Sequence, residues 1–215
     1  MKRLANLSII LFTVLLINYG MAFGQSSSEN VAADYKLSEE SSMTISGTST
    51  IHDWESQVKQ INSELQIAPN LFAQQKGADI DEGLNTSVSI PVESIESGKS
   101  GMNDKMYGAL EKDDYPNIEY ELMSSELLSS NSNGQNGAAM FELKTIGELT
   151  IKGVTKEIEM TVEGEKSEDG SLHFKGDKEL NMKNFEVDPP SAMFGTIKAG
   201  KMITVSYDLT YTPVK

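Results

Sequence analysis

Cysteine does not occur anywhere in the 215 residues. Its absence removes thiol nucleophiles, disulfides, iron–sulfur clusters and cysteine-ligated zinc, and it excludes a lipoprotein, which needs a cysteine to acylate. A domain of about 190 residues buries enough surface to stand without disulfides. Histidine is nearly as scarce. His52 and His173 are the only two, and they lie far apart in sequence, so neither has a partner at metal-ligand spacing. The acidic loop from Asp79 to Gly83 lacks the full ligand series of a calcium loop. Neither a metal nor a cofactor is expected. Also missing are the G-x-S-x-G elbow, the P-loop, the dinucleotide fingerprint and H-E-x-x-H. Adjacent acids such as Asp113 and Asp114 read as a solvated turn, and no spacing singles out a Ser–His–Asp set. The expectation is a protein that is not an enzyme.

Positive charge is in short supply: 18 lysines and arginines face 32 acids, for a net charge of −14. Such a surface repels phosphates, so nucleic acid is not an expected partner, and binding to an anionic membrane surface is discouraged for the same reason. No apolar run reaches the ~20 residues of a transmembrane helix. The longest, Leu4 to Ile17, is interrupted by Asn6 and Ser8. It follows Lys2 and Arg3 and precedes the small residues Ala22 and Gly24, which is the pattern of a secretory signal peptide. Residues 1–24 are expected to be cleaved before Gln25, leaving a flexible segment over 25–33 and one domain over 34–215. No stable membrane span should remain, and the mature chain should be periplasmic or secreted.

What is abundant is alternation. In the stretch from Ala139 to Glu165, Phe141, Leu143, Thr145, Gly147, Leu149 and Ile151 take one parity, and Glu142, Lys144, Glu148 and Lys152 take the other. After a turn at Gly153, Val154, Ile158, Met160 and Val162 oppose Glu157, Glu159 and Glu163. Period-2 patterning of this kind describes a hairpin with one dry and one wet face, and arms of about eleven residues span roughly 35 Å. Ile203, Val205, Tyr207, Leu209 and Tyr211 alternate too. So do Leu84 to Val92, Ile118 to Leu122, and the row holding Leu172, Phe174, Leu180 and Met182. Parity slips between Val58 and Ile61, which predicts a bulge or bend near Lys59. With a first strand from about Tyr35 to Gly47, about eight antiparallel strands result. Periodicity alone allows a sandwich or a closed barrel, and closure protects the edges of such long strands completely.

One segment departs from the pattern. Met102, Met106 and Leu110 recur every four residues between Ser100, a candidate N-cap, and Pro116; they predict a short amphipathic helix against the barrel. Pro189 and Pro190 bar a central strand, so the Asp188–Gly200 stretch reads as a loop or helical turn at a barrel mouth. The asparagine- and glycine-rich run ending at Gly137 reads as a flexible hairpin loop.

Three stretches carry a resemblance: GELTIKGVTKEIEMTVEG (Gly147 to Gly164), SGMNDKMYGALEKDDYPNIEYE, with Met106, Leu110, Tyr115, Pro116 and Ile118 in order, and GTIKAGKMITVSYDL. Together they resemble the YceI-like family of polyisoprenoid-binding, lipocalin-like proteins, over nearly all of the mature chain. The resemblance implies an all-β, elongated eight-stranded antiparallel barrel with one or two short helices near its mouth, and a tunnel for an isoprenoid or quinone-like lipid. The sequence departs from the family at Ser41 and Ser42, where a His–Ser pair is usual, and carries His52 and Trp54 in a His-x-Trp form. The Gly-x-Trp of ordinary lipocalins is absent.

Individual residues divide between two readings. Trp54 stands at the cavity entrance or plugs the barrel end; His52 bonds a ligand head group or satisfies a loop carbonyl. By parity, Phe141, Leu143, Leu149, Ile158, Val162, Phe174, Ile203, Val205 and Tyr207 are wall candidates. Met106, Met160 and Met182 either line the tunnel or fill an ordinary core. Gly147 and Gly176 on the same rows leave width for a ligand or mark a bend. The function expected is binding, sequestration or transport of a long apolar lipid. The alternative is a structural or interaction module of the cell envelope with a filled barrel. Either a monomer or a dimer fits.

Overall fold

The computed structural model describes residues 32–68, 71, 76–131 and 138–214. The expected signal peptide, most of the N-terminal segment and the tip of the asparagine-rich loop lie outside the described residues. β1 (Ala33–Leu37), β4 (Asn62–Ile67), β5 (Leu84–Pro91), β7 (Asn117–Asn131), β8 (Ala139–Ile151), β9 (Val154–Lys166), β10 (Leu172–Asn181) and β12 (Ile197–Pro213) form a ring in that order, all antiparallel, and β12 closes it against β1. The domain is an eight-stranded antiparallel barrel.

Three further strands complete the wall at one end. β2 (Ser42–Ser49) runs along β12, followed sideways by β3 (Trp54–Val58) and β6 (Ile95–Glu96). β12 pairs Tyr211 with Leu37 and Asp208 with Ser42, so β1 and β2 are two lengths of one strand bent at 38–41. β3 and β4 are likewise two lengths of the next, broken at 59–61. That break is the parity slip seen in the sequence: it lets Val58, Leu65 and Ile67 all become buried, and the Lys59 amide, freed from the ladder, donates to the Ser94 carbonyl oxygen at 2.8 Å. An extra residue or two at such a bend re-aims the side chains that follow it.

The long hairpin predicted around Gly153 is present. β8 and β9 pair from Ala139–Lys166 to Ile151–Val154, joined by Lys152 and Gly153 at φ 52° and 71°. Two residues with positive φ make the tight turn that matches strand twist.

The two ends of the barrel differ. At one end Leu71, Leu127, Leu143 and Leu172 are almost wholly buried, and Phe174 meets Phe141 and Tyr211 edge-to-face at 5.7 and 5.8 Å. Such offset aromatic contacts fill space without gaps, and this end is closed. At the other end α1 (Ser100–Ala109) lies across the opening with no fully buried residue. Its cap is Lys99, and Ser100 is the first helical residue, a correction to the expected start. Asn103 Oδ1 reaches back instead and accepts from the Ser97 amide and hydroxyl at 2.9 and 2.7 Å. The proline-rich stretch also lies at this end, as a two-residue β11 (Ser191–Ala192) paired with β12 and a tight left-handed turn over Met193–Gly195. Among the described residues no helix is long and apolar enough to cross a membrane.

Candidate functional site

The inward rows enclose two voids. The outer one, about 370 Å³, lies under α1. The inner one, about 220 Å³, runs toward the closed end. Ile45, Ile118, Ile151, Leu180 and Ile203 line both, so the two chambers abut at an apolar neck formed by these side chains. The outer volume alone falls within the roughly 300–1,000 Å³ of small-molecule sites.

Most of the wall candidates face this space. Leu143, Leu149, Ile158, Met160, Val162, Phe174, Val205 and Tyr207 line the inner chamber, Ile203 the neck, and Met106 and Met182 the outer chamber. Met106, Met102, Ala109 and Leu110 of α1 form the apolar stripe expected of the helix. Phe141 is placed differently: its ring packs into the closed end across Gly164 and lines neither chamber. Sequence parity reports which side a residue faces and says nothing of its height along the bore.

The glycines do not widen the bore. A Cβ on Gly147 would sit 2.4 Å from the Tyr120 ring, and one on Gly176 would sit 2.4 Å from the Tyr207 hydroxyl. Each glycine makes room for a tyrosine from a neighbouring strand, the arrangement in which an aromatic ring covers a strand glycine. The tyrosines then set the polarity at mid-bore. Tyr120 bonds Thr145, and burial pushes its phenol up while that bond partly offsets it. Burial, with Tyr120, Asp177 and Glu163 adding to it, pushes the Tyr207 phenol up to about 12. Its hydroxyl is buried without a hydrogen-bond partner. Both phenols are therefore neutral at any ordinary pH.

Lys178 was missed by sequence reasoning, although its parity with Phe174, Gly176 and Leu180 places it on the inward row. It lines the inner chamber with its stem, and its ammonium donates to the Glu159 carbonyl oxygen at 2.7 Å. That bridge spans a seam. β9 and β10 pair only from Glu163–Lys175 to Lys166–Leu172, while β10 continues along β12 to Asn181. Toward the mouth β9 and β10 have no ladder pairing, and the Lys178 bond crosses the gap.

Trp54 and His52 line the outer chamber beside the mouth. The Trp54 ring crosses its strand partner Gly47, and its Nε1 donates to the Thr48 carbonyl oxygen at 3.0 Å. The tryptophan is packed and satisfied while still facing the chamber. His52 is exposed, and its Nδ1–H donates to the Asp53 carbonyl oxygen at 2.9 Å. His173 bonds Asp208 at 2.7 Å through Nε2, and neither residue lines the bore. Among the described residues no group of three or more His, Asp or Glu is placed to hold a metal ion.

The YceI-like domain matches residues 35–211 of the sequence. No curated protein is significantly similar to the chain. Among solved structures, BcnA of Burkholderia cenocepacia superposes with a TM-score of 0.61 at 15% identity, covering 81% of this chain and 99% of its own. A polyisoprenoid-binding domain from Saccharophagus degradans, implicated in plant cell wall breakdown, gives 0.59 at 11% identity over 84% and 98%. The Campylobacter jejuni YCEI protein gives 0.51 at 14% identity over 77% and 88%.

Proposed function

The chain belongs to the YceI-like family, and from that premise and the open bore we propose that it binds one long apolar lipid, a polyisoprenoid or isoprenoid quinone, to sequester or carry it outside the cytoplasm. The observation that supports this reading most is the shared neck: the same five aliphatic residues border both chambers. A lipid chain laid along it would lose contact with water at each carbon, at about 0.8 kcal/mol per CH₂. Immobilising a ligand costs about 4–15 kcal/mol, which about five buried carbons offset at the low end and about nineteen at the high end, so long chains are favoured over short ones. The polyisoprenoid-binding description of the Saccharophagus degradans domain supports the same ligand class.

The alternative, an envelope module with a filled barrel, requires large side chains meeting across the axis throughout. Here they meet at the closed end, and the outer chamber stays open. The reading assigns no catalysis: the side chains facing the bore are aliphatic, thioether, aromatic, neutral phenol and hydroxyl groups, with Lys178 bonded to the wall and His52, Lys99 and Lys105 in the outer chamber. It also takes residues 1–24 as a cleaved leader and 34–215 as the binding domain, in the periplasm or released.

Native mass spectrometry of protein purified without detergent tests the proposal. A single co-purifying apolar mass per chain, or stoichiometric uptake of an added prenyl lipid, is the expected result. A chain that is always empty and takes up no prenyl lipid would overturn it.

A further inference from the structure

The mouth of the bore carries apolar side chains that cover nothing in this chain. Met193 and Phe194 form the tip of the β11–β12 hairpin, and Phe194 is fully exposed, at 112% of its reference area. Both are held in the left-handed region, at φ 53° and 55°, and Gly195 follows at 85°. That region is unfavourable for non-glycine residues, and the backbone adopts it here to project a phenyl ring into solvent. Ile51, 60% exposed, stands beside the tip. Its loop is tied to the hairpin: the Thr50 amide donates to the Lys198 carbonyl oxygen at 3.0 Å, and the Thr50 hydroxyl to the Thr196 carbonyl oxygen at 3.2 Å. The three apolar side chains are thus carried by two loops braced against each other.

The charge at this end departs from the rest of the chain. No carboxylate occurs from Pro189 to Tyr207, while Lys198 and Lys201 do. The Lys198 stem lies against the tip, its Cε 3.7 Å from where a Gly195 Cβ would be. Across the opening Lys99 and Lys105 line the outer chamber, and among the described residues no acidic one lines it. The nearest acids along the chain are Asp53, Glu96, Asp104 and Asp188, the last paired with Lys183.

We propose that this rim is a docking surface for an anionic phospholipid bilayer, with Met193, Phe194 and Ile51 entering the interface and Lys198, Lys99 and Lys105 meeting the head groups. Apolar residues flanked by lysines are the composition that settles at a membrane surface, and basic groups near such a surface add attraction to anionic lipid. The overall charge of −14 opposes any other approach, so contact is confined to the end that opens into the bore. The purpose of the docking rests on the carrier reading: a chain leaving the bilayer would enter the outer chamber without crossing water.

Two measurements on the mature chain separate the two claims. Sedimentation with vesicles of phosphatidylcholine, alone or mixed with phosphatidylglycerol, reads the rim; binding of an apolar fluorescent probe without vesicles reads the bore. The expected result is partition onto the mixed vesicles, weaker onto phosphatidylcholine alone. Partition should drop by about tenfold or more in the double variant Met193→Ser, Phe194→Ser, while probe binding and the thermal midpoint stay at wild-type values. The Lys198→Glu variant should lose the preference for the mixed vesicles. Absence of partition by the wild type, as expected if a protein partner hands over the lipid, overturns the docking surface, and so does equal partition by the double variant. Partition without probe binding sinks the carrier reading and leaves the docking surface standing.

Discussion

Tyr120 and Gly147 stand on neighbouring strands, and the ring of the one fills the space left by the other. Adding even one carbon at Gly147 forces the Tyr120 ring, 2.4 Å from that position, out of its place. Overpacking of this kind costs about 1–3 kcal/mol. Gly147→Ala is expected to destabilise the domain by about that amount in urea unfolding, and Tyr120→Leu in the same chain should recover most of the loss. A loss that the second substitution does not relieve would mean that the glycine is needed for its backbone. Tyr207 gives a second handle at this scale. Its folded pKa is raised to about 12 from the ordinary value of about 10, so the unfolded chain releases this proton first as the pH rises. The stability it contributes is complete below pH 10 and is lost between about pH 10 and 12. Tyr207→Phe should flatten the fall of stability across that window without abolishing it, because burial also raises Tyr35 and Tyr211.

Strands were legible in the sequence to the extent that alternation reports a wet and a dry side. The rows of β7, β8, β9 and β12 could be read because their outward positions are largely charged or polar. Even the bend at 59–61 announced itself as a slip in parity. Three things could not be read. The break at 38–41 leaves no slip, because Leu37 and Met43 keep one parity across it. The depth of Phe141 depends on register with β9. Lys178, a charged residue on an inward row, looks like an error of parity until the seam beside it is seen. The seam itself leads to a prediction for the element. Over Thr155–Val162 the amides that point toward β10 have no ladder partner there, whereas those toward β8 do. Hydrogen exchange should therefore alternate along β9, fast and slow, toward the mouth and become uniformly slow from Glu163 to Lys166. Uniform protection over the whole strand would show that the wall is zipped in solution. Charged residues on the outer face, among them Glu157, Glu159, Asp177 and Glu179, guard this unpaired edge against another chain.

For the whole molecule the deciding quantity is the continuity of the bore. The family and the barrel followed from the hairpin around Gly153 and the helix-to-strand passage ending at Tyr115 and Pro116. The free volume did not, because a row of alternating apolar residues reads the same whether it surrounds a space or meets another row. Side-chain sizes summed across the axis decide that, and register must be known first. The neck is where continuity can be tested. Ile203 lines both chambers, and a tryptophan in its place would block the passage while leaving the outer chamber open. The measurement is the affinity of a series of prenyl lipids of increasing chain length for the wild type and for Ile203→Trp, both checked for folding by circular dichroism. Affinity that climbs with length in the wild type and levels off at shorter chains in the variant is the predicted result; affinity indifferent to length, or the same rise in both proteins, would contradict a continuous bore.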